Sequence, residues 1–218
     1  MTKFKNREEA GRQLARELAK FQADSPLVMA ILNGGVSVAL PASQALKAPL
    51  LPVPMRSLHI PWNQDTIFGY VTHTGDLQLD QPLIGQVRLT PQQIRQIARK
   101  QHLGLKADLE AWGIAMPEAF RGLTALVIDD GMHSGWTMFS AIETLKQLGA
   151  HTVVPAVPVA HFRAHRFVAR HCDEIVALST EEIDLYQVGN YYEDFPDVSN
   201  EQAGHLLKVG GTSRQTAA

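Results

Sequence analysis

Apolar and polar positions along the chain fall into alternating helical and strand-like periods. Asn6 followed by Glu9 has the spacing of a helix capping box, and Ala10, Leu14, Leu18 and Phe21 then share one helical face. Asp24-Ser25-Pro26 ends that helix. Residues 27–32 are a continuous apolar run, as expected of a strand buried on both faces, and it stops at Asn33-Gly34-Gly35. A helix is predicted over 36–47, with Pro41 tolerated near its first turns, and a second strand over 49–56. Residues 57–90 lose this rhythm and predict a loop and a β-hairpin excursion. Thr90-Pro91 opens a polar helix to about Trp112, whose Arg95, Arg99 and Lys106 read best as a solvated face. Strands follow at 123–128, 152–159 and 174–178, separated by helices at 135–148 and 162–171.

This alternation predicts an α/β fold: a doubly wound, mostly parallel five-stranded sheet with helices on both faces. A single domain is expected over 1–208. Residues 57–90 would be its excursion, 184–200 an aromatic, acidic C-terminal segment, and 209–218 a disordered tail. The excursion and the C-terminal segment together would build a small hood.

Composition narrows the function classes. A net charge of −2 gives no general attraction to nucleic acid or anionic lipid. No apolar run approaches the roughly 20 residues of a membrane span. The polar start, Met1 to Asn6, is not expected to be a secretory signal. The single cysteine, Cys172, rules out an intrachain disulfide framework and makes a reducing, cytoplasmic setting the default. His161, His165, His171 and Cys172 mimic a metal site, but Arg163, Arg166 and Arg170 surround them and a solvated basic helix is the better reading.

Ligands of such sheets bind beyond the carboxyl ends of the strands. That rule selects the segments after Leu32, Arg56 and Ile128. In the last, strand 126–128 delivers Asp129 and Asp130, and Gly131-Met132-His133-Ser134-Gly135-Trp136-Thr137 then opens a helix. Loop amides at a helix start favour a phosphate, with Ser134 and Thr137 as hydroxyl donors and Gly135 allowing close approach. The two carboxylates suit neutral donors such as a ribose diol, or a hydrated Mg²⁺. An acidic strand end with an ordinary Ser/Thr cap is the competing structural explanation.

This segment resembles the phosphoribosyl-diphosphate (PRPP) motif of type I phosphoribosyltransferases. The resemblance implies that Asp129 and Asp130 hold the ribose hydroxyls and that residues 133–137 wrap the 5′-phosphate. His133 departs from the small residue usual there: it can donate to phosphate, crowd the pocket or be a bystander. Gly34-Gly35-Val36, with Val38-Ala39 beyond, resembles the pyrophosphate loop of a bacterial subgroup, with Asn33 where that subgroup has arginine. Arg56 matches the first of its Arg-Lys pair, and Ser57 replaces the lysine. Val188-Gly189 through Phe195 resembles the subgroup's ending, where Tyr191, Tyr192 and Phe195 either offer a base-stacking face or simply pack a terminal segment. The likeness runs from about Phe4 to Glu201 and is poor over 76–120.

The implied function is phosphoribosyl transfer from Mg²⁺-bound PRPP to a nitrogenous base, releasing pyrophosphate. The implied catalytic residues are Asp129, Asp130 and Arg56. The implied substrate-binding residues are Asn33, Gly34, Gly35, Tyr191 and Met132 through Thr137. Mg²⁺ would ride on substrate oxygens, with Asp129 and Asp130 reaching it through water at most. The expected partners are PRPP and a base or nucleoside monophosphate, with a homodimer as the default assembly and no nucleic acid or membrane. Asn33 and Ser57 motivate the alternative, a PRPP- or nucleotide-binding regulatory protein of the same fold that has lost turnover. A metal-dependent phosphatase-like acid pair on an unrelated doubly wound fold is the remoter reading.

Overall fold

The computed structural model describes residues 3–211. In chain order the elements are α1 (Arg7–Leu18), a 3-10 turn (Ala19–Asp24), β1 (Leu27–Ala30), α2 (Gly34–Leu46) and β2 (Leu50–Pro52). Then come β3 (Met55–Ile60), β4 (Asn63–Thr72), β5 (Leu77–Leu79), α3 (Gln81–Val87) and α4 (Pro91–Trp112). β6 (Thr124–Ile128), α5 (Trp136–Gln147), β7 (Thr152–His161), α6 (Phe162–Val168), β8 (Val176–Glu181), a 3-10 turn (Val188–Tyr191) and α7 (Asn200–Gly211) complete the chain. No helix among the described residues is long and apolar enough to cross a membrane.

The chain divides into two compact units, one of residues 1–53 with 119–218, the other of residues 54–118. The first holds a parallel five-stranded sheet in the order β2-β1-β6-β7-β8. The chain winds outward from β1 through α2 to β2, and in the opposite direction from β6 through α5, β7 and α6 to β8. Right-handed crossovers therefore put α2 on one face and α5 with α6 on the other. The observed packing agrees: α2 lies against α1 and α7, and α5 against α6. β1 and β6 are neighbours whose crossovers diverge, so the loops that leave their carboxyl ends flank a topological switch point. Val28, Met29, Leu126, Val127 and Ile128 are completely buried there.

α1 is fixed at its start by Asn6, whose side chain accepts from the Glu9 amide at 2.9 Å. It crosses α2 closely at Gly11, where an added Cβ would lie 2.3 Å from the Val38 carbonyl oxygen. That contact sets where Arg7, at the helix N-terminus, enters the first unit.

The second unit is an antiparallel sheet, β3-β4-β5, with α3 and α4 around its own core of Leu58, Ile60, Phe68, Val71, Ile84 and Ile94. Thr90 and Gln93 form the capping box of α4, as its sequence predicts. Arg95, Arg99 and Lys106 are exposed, the solvated face expected.

Several boundaries differ from expectation. The predicted strand at 49–56 is two strands in two different sheets. Pro54 has no amide to continue the ladder, and Val53 makes the last bond to β1, donating to Ala30 at 2.8 Å. The excursion expected at 57–90 belongs to a larger unit, 54–118, that includes α4. The tail expected from 209 is helical as far as Gly211, because Gly210 seats α7 on β2. A Cβ there would come 2.7 Å from Leu50 Cδ2. The remainder of that tail lies outside the described residues.

Candidate functional site

Two loops meet at the switch point. Gly34 and Gly35 are not a separate loop but the first turn of α2. Both approach the acidic pair. A Cβ on Gly34 would lie 2.1 Å from Asp130 Oδ2, and one on Gly35 would lie 2.8 Å from the Ile128 carbonyl oxygen and 3.0 Å from Asp129 Cα. The glycines therefore let β1's loop and β6's end sit in contact. Among the described residues, the Gly34 and Gly35 amides donate to no protein acceptor. They remain open to an anion, in the manner of a helix N-terminus.

Asp129 and Asp130 both keep part of their surface open. Their surroundings nonetheless disfavour charge. Burial pushes the Asp129 carboxyl well above the usual carboxylate range, and the adjacent Asp130 pushes it the same way. The Asp130 amide, donating to Asp129 Oδ1 at 2.9 Å, opposes this. Burial raises Asp130 too, against the pull of Arg7.

Arg7 was not legible as a site residue. It is 8% exposed. Its Nε donates to Asp130 Oδ2 at 2.8 Å, its Nη1 donates to the Pro196 carbonyl at 2.6 Å, and its guanidinium lies 3.6 Å from the Phe195 ring centroid. One signal was available: a cation in the first turn of a helix opposes the macrodipole and calls for a compensating partner.

After the acids, the chain returns briefly to the sheet. Met132 is buried and bridges Ala160, with its amide donating to Val159 at 2.9 Å. Its amide is therefore consumed, and the expectation that Met132 binds substrate is corrected. The next three amides behave differently. Those of His133, Ser134 and Gly135 donate to no protein acceptor among the described residues, and His133 and Ser134 are exposed. Gly135 adopts φ 80° as the cap of α5, and a Cβ there would press on Val168 and Phe167 at 3.0 and 3.1 Å. The Ser134 hydroxyl oxygen accepts from the Trp136 amide at 3.3 Å. Trp136 is half-buried with its ring 5.3 Å from Phe139, and Thr137 follows it in the first turn of α5. The His133 ring packs 5.9 Å from Tyr186.

Four expectations fare differently. Tyr191 is completely buried in a cluster with Phe4, Tyr186 and Tyr192, so it has no face for a base. The Asn33 side chain is turned to the C-terminal segment, where its Nδ2 donates to the Val198 carbonyl at 3.1 Å. Arg56 lies in the other compact unit and pairs with Asp108 at 2.8 Å. Tyr192, weighed as a stacking residue, instead donates its hydroxyl to the Asp130 carbonyl at 2.5 Å.

The arrangement offers unbonded amides for anionic oxygens on both loops, with carboxylate acceptors between them for hydroxyl donors. No group of three or more His, Cys, Asp or Glu that could hold a metal ion occurs among the described residues, the His161–Cys172 region included. A cavity of about 730 Å³ opens in the same unit beside α1, α2 and α7, lined by Arg7, Ser37, Pro41, Asp197 and Glu201 among others.

Comparison with known proteins finds relatives over nearly the whole chain. Two Mycobacterium tuberculosis proteins, one from each of two strains and each provisionally named a phosphoribosyl transferase, are 30% identical over 208 residues, or 95% of this chain. The chain spans 47% of their length. The crystal structure of TT1426 from Thermus thermophilus shares 31% identity and superposes with a TM-score of 0.77, covering 96% of this chain and 99% of the other. Residues 3–187 match the phosphoribosyl transferase domain, and the chain belongs to that family.

Proposed function

We propose that the protein transfers a phosphoribosyl group from Mg²⁺-bound PRPP to a nitrogenous base, with release of pyrophosphate. The observation that carries this reading is the run of three unbonded amides, His133 to Gly135, in the loop that Asp129 and Asp130 open. A 5′-phosphate fits that run at the start of α5. The ribose hydroxyls fit the two carboxylates, which stand at the end of β6. The diphosphate then faces Gly34 and Gly35, whose amides are open.

The protein residues supply positioning and charge, not a nucleophile. As the bond from C1 to the diphosphate lengthens, positive charge grows on the ribose. Asp129 and Asp130 lie beside it, and the α2 amides receive the charge growing on the leaving oxygens. The donor set fits a metal that arrives with its substrate. Of the two acids, one is already engaged by Arg7, too few for an all-protein cage. Mg²⁺ on the diphosphate supplies further neutralisation of the leaving group.

A second reading has its own support. The subgroup's cation before the glycines is replaced by Asn33, and that amide is committed to Val198. A regulatory protein needs affinity for the phosphoribosyl ligand but not the extra stabilisation of a transition state. Pyrophosphate release from PRPP over a panel of purine and pyrimidine bases separates the two. Release with any base supports transfer. Thermal stabilisation by ribose 5-phosphate without release on any base supports the regulatory reading, and neither response rejects both.

A further inference from the structure

The segment Tyr192–Val198 is stitched to both ligand loops by side chains that the reaction itself does not require. Tyr192 Oη donates to the Asp130 carbonyl, Arg7 Nη1 to the Pro196 carbonyl and Asn33 Nδ2 to the Val198 carbonyl. Phe195 stacks on the Tyr192 ring at 4.8 Å and under the Arg7 guanidinium at 3.6 Å. Arg7 touches both a carboxylate of the site and this strap.

We propose that Arg7 is a positioning residue that couples the carboxylate of Asp130 to the Tyr192–Val198 strap, so that sugar binding and order in the strap reinforce each other. This rests on the reading of Asp130 as a sugar ligand. The geometry suits an arginine and not a lysine. Its planar fork sends Nε to Asp130 and Nη1 to Pro196 while its face covers Phe195, three contacts that a single ammonium cannot make together. By holding Oδ2, Arg7 fixes the rotation of the Asp130 carboxyl. Arg7 engages Oδ2, which leaves Oδ1 as the carboxylate oxygen to meet a hydroxyl. A second partner for that carboxylate removes its freedom to swing, which in turn holds Arg7 against Pro196 and Phe195. Asn33 ties the strap to the other loop through Val198. Its place in the sequence thus reads as an anchor for the strap.

The test uses ribose 5-phosphate as the probe, with calorimetric affinity and amide hydrogen exchange of residues 192–198. Wild type is expected to bind and to slow exchange in the strap. Arg7→Gln is expected to bind about tenfold or more weakly, the loss of one charge-assisted contact, and to leave strap exchange unresponsive to ligand. Arg7→Lys keeps the ion pair alone. It is expected to recover most of the affinity but not the strap response. Should Arg7→Gln not fold, Phe195→Leu, which leaves the ion pair intact, is expected to blunt the strap response and to weaken binding, though by less than the loss of the ion pair would. Wild type that does not bind ribose 5-phosphate overturns the sugar-site reading and this proposal with it. Wild type that binds, with Arg7→Gln equal to it in both readouts, overturns the role of Arg7 alone. Arg7→Lys matching Arg7→Gln in both readouts reduces Arg7 to packing and also overturns it.

Discussion

Gly34 and Gly35 are adjacent, yet alanine at the two positions is expected to fail in different ways. A Cβ at 34 meets the end of a side chain, Asp130 Oδ2, at 2.1 Å. A Cβ at 35 meets backbone, the Ile128 carbonyl oxygen, at 2.8 Å. Both distances are well inside the roughly 3.5–4.0 Å of a favourable carbon contact. At 34 the carboxylate can swing away, but only by leaving Arg7, whose side chain is 10% exposed. Breaking a buried ion pair from one side costs about 3–5 kcal/mol. A cost below that range, about 2–3 kcal/mol, applies here because neither charge is deleted and the guanidinium keeps Pro196 and Phe195. Alanine's helix preference returns at most about 1 kcal/mol. Gly34→Ala should therefore lose roughly 1–2 kcal/mol of stability. It should also lose ribose 5-phosphate affinity about tenfold or more, since the displaced carboxylate no longer accepts from a hydroxyl. Gly35→Ala must move the end of the central strand, an overpacking cost of about 1–3 kcal/mol. Urea unfolding and calorimetric titration of both variants check this. A Gly34→Ala protein with wild-type stability and wild-type affinity would refute the contact between the two loops as the determinant of the site.

Asp129→Asn should flatten part of the pH dependence of stability. Burial and Asp130 raise the folded-state pKa of Asp129 above its ordinary 3.8. Its contribution is therefore complete below that value and is lost as pH rises through the raised one. Melting curves from pH 4.5 to 8 should show wild type losing ground to the variant; parallel curves contradict the assignment. Tyr192→Phe removes the hydroxyl that donates to the Asp130 carbonyl and should lower stability by about 1 kcal/mol in chemical denaturation, with an unchanged midpoint counting against that bond. Arg56→Met breaks a pair with Asp108 in which both side chains are about 30% exposed, so stability should fall by no more than about 1 kcal/mol. If Arg56 neutralises the leaving group, pyrophosphate affinity should fall about tenfold in the same variant, and equal affinity removes it from the site.

The sequence made the layers of the sheet and the position of its switch point readable because parallel strands leave long apolar runs at Leu27, Leu126 and Val153. The acids were readable for a related reason: two adjacent carboxylates at the end of a buried strand have few structural uses. Contacts between segments far apart in the chain were not readable. The strand expected at 49–56 looked continuous because Pro49 to Met55 is an unbroken apolar run, and which sheet each part joins depends on partners elsewhere. α7 carried a local signal, Ser199 with Gln202 in reciprocal capping bonds of 2.8 and 3.1 Å, but its buried face of Ala203, Gly204, Leu207 and Gly210 is mostly small residues and makes only a weak apolar stripe.

The glycines show how a correct location can come with an incomplete cause. Gly34-Gly35 was assigned to a loop whose open amides meet an anion, and those amides are open. Openness alone would not demand glycine, since any residue in a first helical turn leaves its amide unpaired. The demand comes from the opposite side, where Asp130 Oδ2 and the Ile128 carbonyl occupy the space a Cβ would take. The same contact accounts for the buried cation. With α2 pressed against Asp130 and burial already raising both carboxyls, Arg7 is the group that opposes their neutralisation from inside the protein. An acidic pair held this close to a glycine turn needs an internal counter-charge before any ligand arrives, and that requirement links Arg7, Asp130 and Gly34 as one unit of the site.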